Sequence, residues 1–255
     1  MISNLEYRFN YFSDAILQPI ASTLIELTLW YAVFASSMRT EIGGFGREYY
    51  LAYAMWGAFI ARITANWMYE FKMIEEIDSG SVNSALVRPF SFYEYYLSQF
   101  LGYKIVTTAI SMLIPISVTL WMGAASPVQL SRLPAALGLV VYYLLLVHTI
   151  SFCVASSALF LNRVYSFTVA KNLMLWLLSG ELFPLDLLPS PWKEFLFALP
   201  FSCATYIPAA YVTGRIGPEL FLRGFVSITV GLIVFGLLAK MLWARGMLRY
   251  TGTGA

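Results

Sequence analysis

The stretch SGELFPLDLLPSPWKEFLFALPFSCATYIPAAYVTG, Ser179 to Gly214, carries five prolines between two long apolar runs. Four of them, Pro184, Pro189, Pro191 and Pro200, fall within 17 residues. Each removes a backbone donor and crowds the preceding turn, so no continuous helix can cross a bilayer here. Yet Leu182, Phe183, Leu185, Leu187, Leu188, Trp192, Phe195 and Phe201 keep the segment apolar. A stretch too broken to span and too apolar to be a solvated loop reads as short helices, over 183–212, that dip into one membrane face while protein shields their irregular backbone.

The flanking sequence supplies the membrane. Of 255 residues, 59% are hydrophobic and 12% charged, whereas soluble domains carry roughly 25% charged residues. The chain therefore reads as an all-α integral membrane protein. Its net charge of +2 and 16 scattered basic residues make no patch for nucleic acid. Cys153 and Cys203 lie in separate apolar segments, which argues against a disulfide framework, and no Cys/His cluster suggests a metal. Trp30, Trp67, Trp121 and Trp243 near span ends fit an interfacial belt and identify no aromatic pocket.

A span needs about 20 mostly apolar residues. Five stretches qualify, 15–37, 49–71, 96–122, 134–161 and 220–243, and a shorter sixth, 166–182, crosses with help from the proline-rich segment. Before them, residues 1–13 lack the basic and apolar regions of a signal peptide and are expected to be retained as a helix lying along the interface. Six crossings put both termini on one side. Lys and Arg divide eight to six between the two faces, a bias that places the termini and the 72–93 loop in the cytoplasm and the proline-rich segment outside. No internal repeat or linker separates a second domain, so 1–255 is expected to be a single membrane domain.

That cytoplasmic loop reads EFKMIEEIDSGSVNSALVRPFSFYEYY. Ile74, Ile77, Val82 and Leu86 mark an amphipathic element over 74–88, bent at Gly80 and ended by Pro89, which forces Arg88 out of helical geometry. Glu75, Glu76 and Asp78 then form an acidic face, suited to docking another protein or simply to solvation.

Two segments together resemble the permease subunits of type-2 ABC exporters. Ile77, Gly80, Leu86, Arg88 and Pro89 match the family's coupling-helix pattern I-x-x-G-x-x-x-x-x-L-x-R-P between the second and third spans. Ser179, Gly180, Phe183, Pro184, Leu188, Pro189, Leu199 and Pro200 match its S-G-x-x-F-P-x-x-x-L-P with a downstream L-P. The L-P-F and Y-I-P-A-A-Y-V-T-G runs look like a branch in which two related permeases accompany one ATPase. The resemblance implies a permease dimer in the bacterial cytoplasmic membrane, bound to two ABC ATPase subunits and exporting cargo. Whether that dimer joins identical or related chains stays open. It implies ATPase docking through Ile74 to Pro89 and an extracellular gate built from the proline-rich motif. The sequence has no G-x-x-x-x-G-K-[ST], so ATP and its Mg ion are expected on the partner ATPase and no cofactor on this chain.

Polar residues inside spans are few. Glu26 and Arg62 are expected at similar depth in adjacent antiparallel spans and so to form an ion pair, either lining a substrate path or joining two helices. His148, the single histidine, is expected to hydrogen-bond between helices. Lys104 and Lys171 are expected to extend their amines to headgroups, and Glu181 to meet cargo, a partner chain or solvent. An intramembrane lipid-modifying enzyme would need a nucleophile and base or a metal set, and no H-E-x-x-H or G-x-S-x-G is present. A non-transporting scaffold or sensor of the same fold is a further alternative.

Overall fold

The computed structural model describes residues 12–67, 69–83, 89–123, 126–161 and 164–250. The interfacial helix expected over 1–13 lies outside these residues but for Phe12 and Ser13, and so do Leu86 and Arg88 of the coupling pattern. The described chain is almost wholly helical, and its strands are confined to one small hairpin.

After a π-helical turn, Ser13–Leu17, α1 runs Gln18–Ser37 and stops at Met38, whose left-handed φ of 51° breaks the helix. Strands β1 (Glu41–Ile42) and β2 (Phe45–Gly46) pair antiparallel around Gly43 and Gly44. Both glycines have positive φ, as a tight two-residue hairpin turn requires. The hairpin turns the chain back into α2, Arg47–Thr64. A short helix α3, Phe71–Asp78, then leads to α4, Phe92–Ser111, whose start is fixed by a capping box between Ser91 and Glu94. Pro115 cannot donate to the carbonyl four residues back, and the helix breaks at Met112 before resuming as α5, Leu113–Met122. Helix α6 runs Leu133–Ser156 and α7 Tyr165–Leu178. The proline-rich segment forms two seven-residue helices, α8 (Trp192–Ala198) and α9 (Tyr206–Val212), separated by a 3-10 turn at Pro200–Cys203, and α10 closes the chain at Pro218–Met247.

Among the described residues, four helical stretches are long and apolar enough to cross a membrane, Ala15–Ser37, Phe92–Met122, Leu130–Leu159 and Pro218–Met247. They coincide with the first, third, fourth and last expected spans. The other two are shorter. Helix α2 has 18 residues with Arg47, Glu48 and Arg62 among them, and α7 has 14.

The core sits between α2, α6 and α9. Tyr53, Trp56, Phe59 and Ile60 of α2 meet Leu139, Tyr143 and Leu146 of α6 and Tyr206 and Ile207 of α9, all at most 1% exposed. Burying aromatic and aliphatic side chains this fully makes α2 the central post of the domain. Helix α10 packs along α6 through small residues, at Gly231, where a Cβ would lie 3.1 Å from Leu146 Cδ1, and at Gly246 it presses on Leu159 of the 3-10 turn that follows α6. Two smaller clusters mark the ends. One joins Met73, Ile74 and Ile77 of α3 to Phe92, Phe152, Ala155 and Ala239. The other joins Trp30, Phe34, Tyr50 and Ala54 beside the hairpin.

Candidate functional site

At the α3 end, the amphipathic pattern is realised as expected on one side. Met73, Ile74 and Ile77 are buried, while Lys72, Glu75 and Asp78 are exposed and Glu76 is half-buried. Gly80 follows with φ of +77°, a left-handed turn that ends the helix. Partial burial raises the Asp78 carboxyl above its ordinary value, and this residue also stands at the helix C-terminus, where negative charge is disfavoured.

The link from α2 to α3 is fastened to three other helices. The Asn66 amide donates to Ser151 Oγ on α6 at 2.7 Å, and the Lys171 amine on α7 donates to the same oxygen at 2.9 Å. Lys171 Nζ also stands 2.7 Å from Glu70 Oε1, and the Glu70 side chain is fully buried. The Tyr69 hydroxyl lies 2.8 Å from the Tyr96 carbonyl oxygen on α4 and 2.9 Å from His148 Nδ1 on α6. His148 Nε2 lies 3.2 Å from the Tyr93 carbonyl, an acceptor only, so the ring donates its Nε2–H there, while the single Tyr69 hydroxyl proton serves either the Tyr96 carbonyl or Nδ1. His148 thus joins helices by hydrogen bonds, as its position suggests.

Two readings of cations change. Lys104 and Lys171 do not reach outward, being 7% and 8% exposed. Lys171 is held by Glu70, and the Lys104 amine donates to the Arg62 and Ala65 carbonyls, capping the end of α2. Both amines have interior acceptors. Glu70, Asn66 and Tyr69 were not singled out in the sequence. The available signal was Lys171 itself, a lysine in an apolar helix that needs an anion at its depth.

Glu26 on α1 and Arg62 on α2 stand on the two helices that the hairpin joins. Counted from the hairpin, Arg62 stands about four residues further along than Glu26, roughly 6 Å at a rise of about 1.5 Å per residue. A polar cavity of about 40 Å³ adjoins Glu181, lined also by Thr64, Asn66, Asn172, Ser179 and Thr205, and it has room for a few waters.

At the opposite end, the proline-rich motif is anchored in two halves. The Tyr53 hydroxyl donates to the Gly180 carbonyl at 2.7 Å, and the Tyr206 N–H donates to the Ser179 carbonyl at 2.9 Å. Gly180 has φ of +82°, and a Cβ there would meet Tyr206 Cβ at 2.6 Å, so both conformation and space demand glycine. Pro184 is buried and Leu188 packs on the core, while Phe183 and Pro189 are exposed. Leu199 and Pro200 open the 3-10 turn that packs against α10 near Gly231.

Arg215 holds this end together. Its Nε and Nη2 donate to Asp186 at 2.6 and 3.1 Å, and Nη2 also donates to the Tyr50 hydroxyl at 3.1 Å. The guanidinium lies over the Phe45 and Tyr50 rings at 4.2 and 4.6 Å. Tyr50 in turn donates to the Ile42 carbonyl of β1. One arginine thus joins the hairpin, the top of α2, the proline-rich segment and the loop after α9.

A buried helical frame with a short amphipathic helix at one end and a proline-rich motif at the other is the arrangement that the family resemblance implies. A family model described as ABC-2 family transporter protein matches residues 20–254. The chain belongs to the ABC-2 transporter family. As a family member it is a membrane permease component of an ABC transporter, and the family's association with an ABC ATPase comes with that membership. No curated protein and no solved structure matches the chain significantly.

Proposed function

We propose that the chain is the transmembrane subunit of an exporter that moves an amphipathic cargo out of the cytoplasm, driven by ATP and Mg held on a separate ATPase. In this reading it is a single permease domain with six crossings and both termini in the cytoplasm of a bacterial inner membrane. It pairs with a second permease chain, identical or related, over two ATPase subunits. Helix α3 and the residues to Pro89 seat in the ATPase, and the segment from Ser179 to Pro200 shapes the outer gate.

The observation that carries this reading is the wiring of the α2 to α3 link. Helix α3 presents Glu75 and Asp78 to the outside while its start is tied through Glu70, Tyr69 and Asn66 to α4, α6 and α7. A push on α3 therefore reaches three helices without crossing flexible chain. The α4 and α6 attachments pull on the third and fourth spans, and the Lys171 attachment pulls on the helix that leads directly into the proline-rich motif.

The test is co-purification of the permease with its ATPase after charge reversal at Glu75, Glu76 and Asp78, followed by ATP turnover in liposomes. Loss of association, or turnover decoupled from transport, is the expected result. Unchanged assembly and unchanged turnover would remove the docking assignment. Cargo-stimulated turnover together with vesicle uptake of the same cargo separates transport from a scaffold role.

A further inference from the structure

The cavity of about 40 Å³ beside Glu181 lies where four segments meet, the end of α2, the link that follows it, α7, and the turn that enters α9. Thr64, Asn66, Asn172, Ser179, Glu181 and Thr205 bring oxygen atoms to its lining. All but Glu181 are buried. Among the described residues, no lysine or arginine lines it. Arg62 and Lys104 line a separate small cavity, and Lys171, next to Asn172 in the chain, is matched by Glu70.

The protons of these groups are engaged elsewhere. Thr64 donates its hydroxyl proton to the Ile60 and Ala61 carbonyls, and Ser179 donates its own to the Trp176 carbonyl while accepting the Glu181 N–H. A hydroxyl whose one hydrogen is engaged offers only lone pairs. The Asn66 amide nitrogen goes to Ser151, which leaves Oδ1 as the group it can offer. Glu181 adds a carboxylate. The lining therefore presents acceptors and asks for a positive ligand.

Thr205 is the second sign of one. It stands at the N-cap position of α9, where a threonine ordinarily accepts a backbone N–H, yet its side chain makes no capping bond. The residue is 1% exposed and its Oγ1 has no hydrogen-bond partner. Its methyl faces α2, since a Cβ at Gly57 would lie 3.7 Å from Thr205 Cγ2. An unpaired buried hydroxyl is destabilising unless something else satisfies it.

The donor set selects the ligand. Hard oxygen groups suit alkali and alkaline-earth ions, whereas zinc or copper would need His or Cys, and among the described residues no three His, Cys, Asp or Glu side chains gather. One carboxylate balances one positive charge, which favours a monovalent ion in a buried setting. The volume holds that ion with about two waters. Oxygen groups at interrupted helices are the usual cation ligands within a membrane, and α2 and α7 end in this lining, at Thr64 and Leu178. We propose that the cavity binds one alkali-metal cation, held by the Glu181 carboxylate, the Thr205 hydroxyl and the oxygens of Thr64, Asn66, Asn172 and Ser179. Exposed Trp67 and half-buried Glu181 mark the side from which it enters. The ion fastens the end of α2 to the motif that begins at Ser179 and to the start of α9. The assignment does not depend on the cargo, the ATPase or the direction of transport.

The experiment uses the full-length chain purified in detergent, with radioactive sodium bound at equilibrium and thermal unfolding measured at one ionic strength in sodium, potassium or choline chloride. The wild type is expected to bind one sodium ion per chain, displaced by potassium and not by choline, and to unfold roughly 3 °C higher in either alkali salt than in choline chloride. Thr205→Val keeps the shape and removes the unpaired hydroxyl. It should unfold no lower than wild type in choline chloride while binding sodium at least about tenfold more weakly. Glu181→Gln should abolish binding. Equal unfolding temperatures in the three salts with no sodium retained, displacement of sodium by calcium at lower concentration than by potassium, or undiminished binding by Thr205→Val or Glu181→Gln would overturn the proposal.

Discussion

Lys171 Nζ lies 2.7 Å from Glu70 Oε1, with the two side chains 7% and 0% exposed. The pair joins α7 to the residue immediately before α3, and it does so where water cannot screen either charge. Removing one partner of a buried pair costs about 3–5 kcal/mol because the other is stranded, whereas replacing both by neutral groups of similar volume costs far less. Lys171→Met is therefore expected to lower the thermal unfolding temperature of the solubilised chain sharply. Lys171→Met with Glu70→Gln should recover most of the loss. If the double variant also leaves ATP turnover intact but reduces transport, the pair transmits motion in addition to holding the fold.

Arg215 combines a forked contact to Asp186 with two ring faces, and a lysine supplies neither the fork nor the planar stack. Arg215→Lys should thus behave nearly as badly as Arg215→Ala, each losing about 2–4 kcal/mol in unfolding measurements. Asp186→Asn keeps one acceptor and should lose about half as much. Limited proteolysis would report the consequence directly, with cleavage between α7 and α8 appearing in the arginine variants first.

Gly180 and Gly44 share nearly the same backbone, φ of +82° and +80°, but differ in surroundings. Nothing lies within 4 Å of a Cβ at Gly44, whereas Gly180 would press on Tyr206. Gly44→Ala should cost about 1 kcal/mol from conformation alone. Gly180→Ala should cost at least twice that and displace α9. Parallel melting curves of the two variants separate strain from collision.

Asp78 offers a check on pH dependence. Partial burial raises its carboxyl in the folded chain, so this group favours folding most when protonated, below its ordinary value of 3.8. That contribution disappears as pH rises through the raised folded value. Asp78→Asn should then be slightly more stable than wild type at neutral pH, by at most about 0.5 kcal/mol for so exposed a group at a helix C-terminus. The gain should vanish below the ordinary carboxyl value, which denaturant titrations at pH 3 and pH 7 would reveal.

The four long helices were legible because length and apolar composition suffice to mark Ala15–Ser37, Phe92–Met122, Leu130–Leu159 and Pro218–Met247. The broken helices of the proline-rich segment were legible from proline spacing, which acts locally. What escaped was depth and partnership. Ala65, Asn66 and Trp67 do not look like a helix end, yet α2 stops at Thr64, and its last carbonyls are held by Lys104, from a helix that follows the α3 loop. Lys171 and Glu70 meet only because α7 packs beside the α2 to α3 link, a relation between segments that no window of sequence contains.

The burial of α2 sets an order of assembly. This helix carries Arg47, Glu48 and Arg62 within 18 residues and is buried along most of its length. Its neighbours α6 and α9 emerge from the ribosome much later. Newly made α2 is a poor tenant of bare lipid, so its stable insertion waits on chain that has yet to be synthesised. Released chains truncated before Tyr206 should therefore leave α2 open to quality-control proteases, and released chains truncated after Thr213 should not.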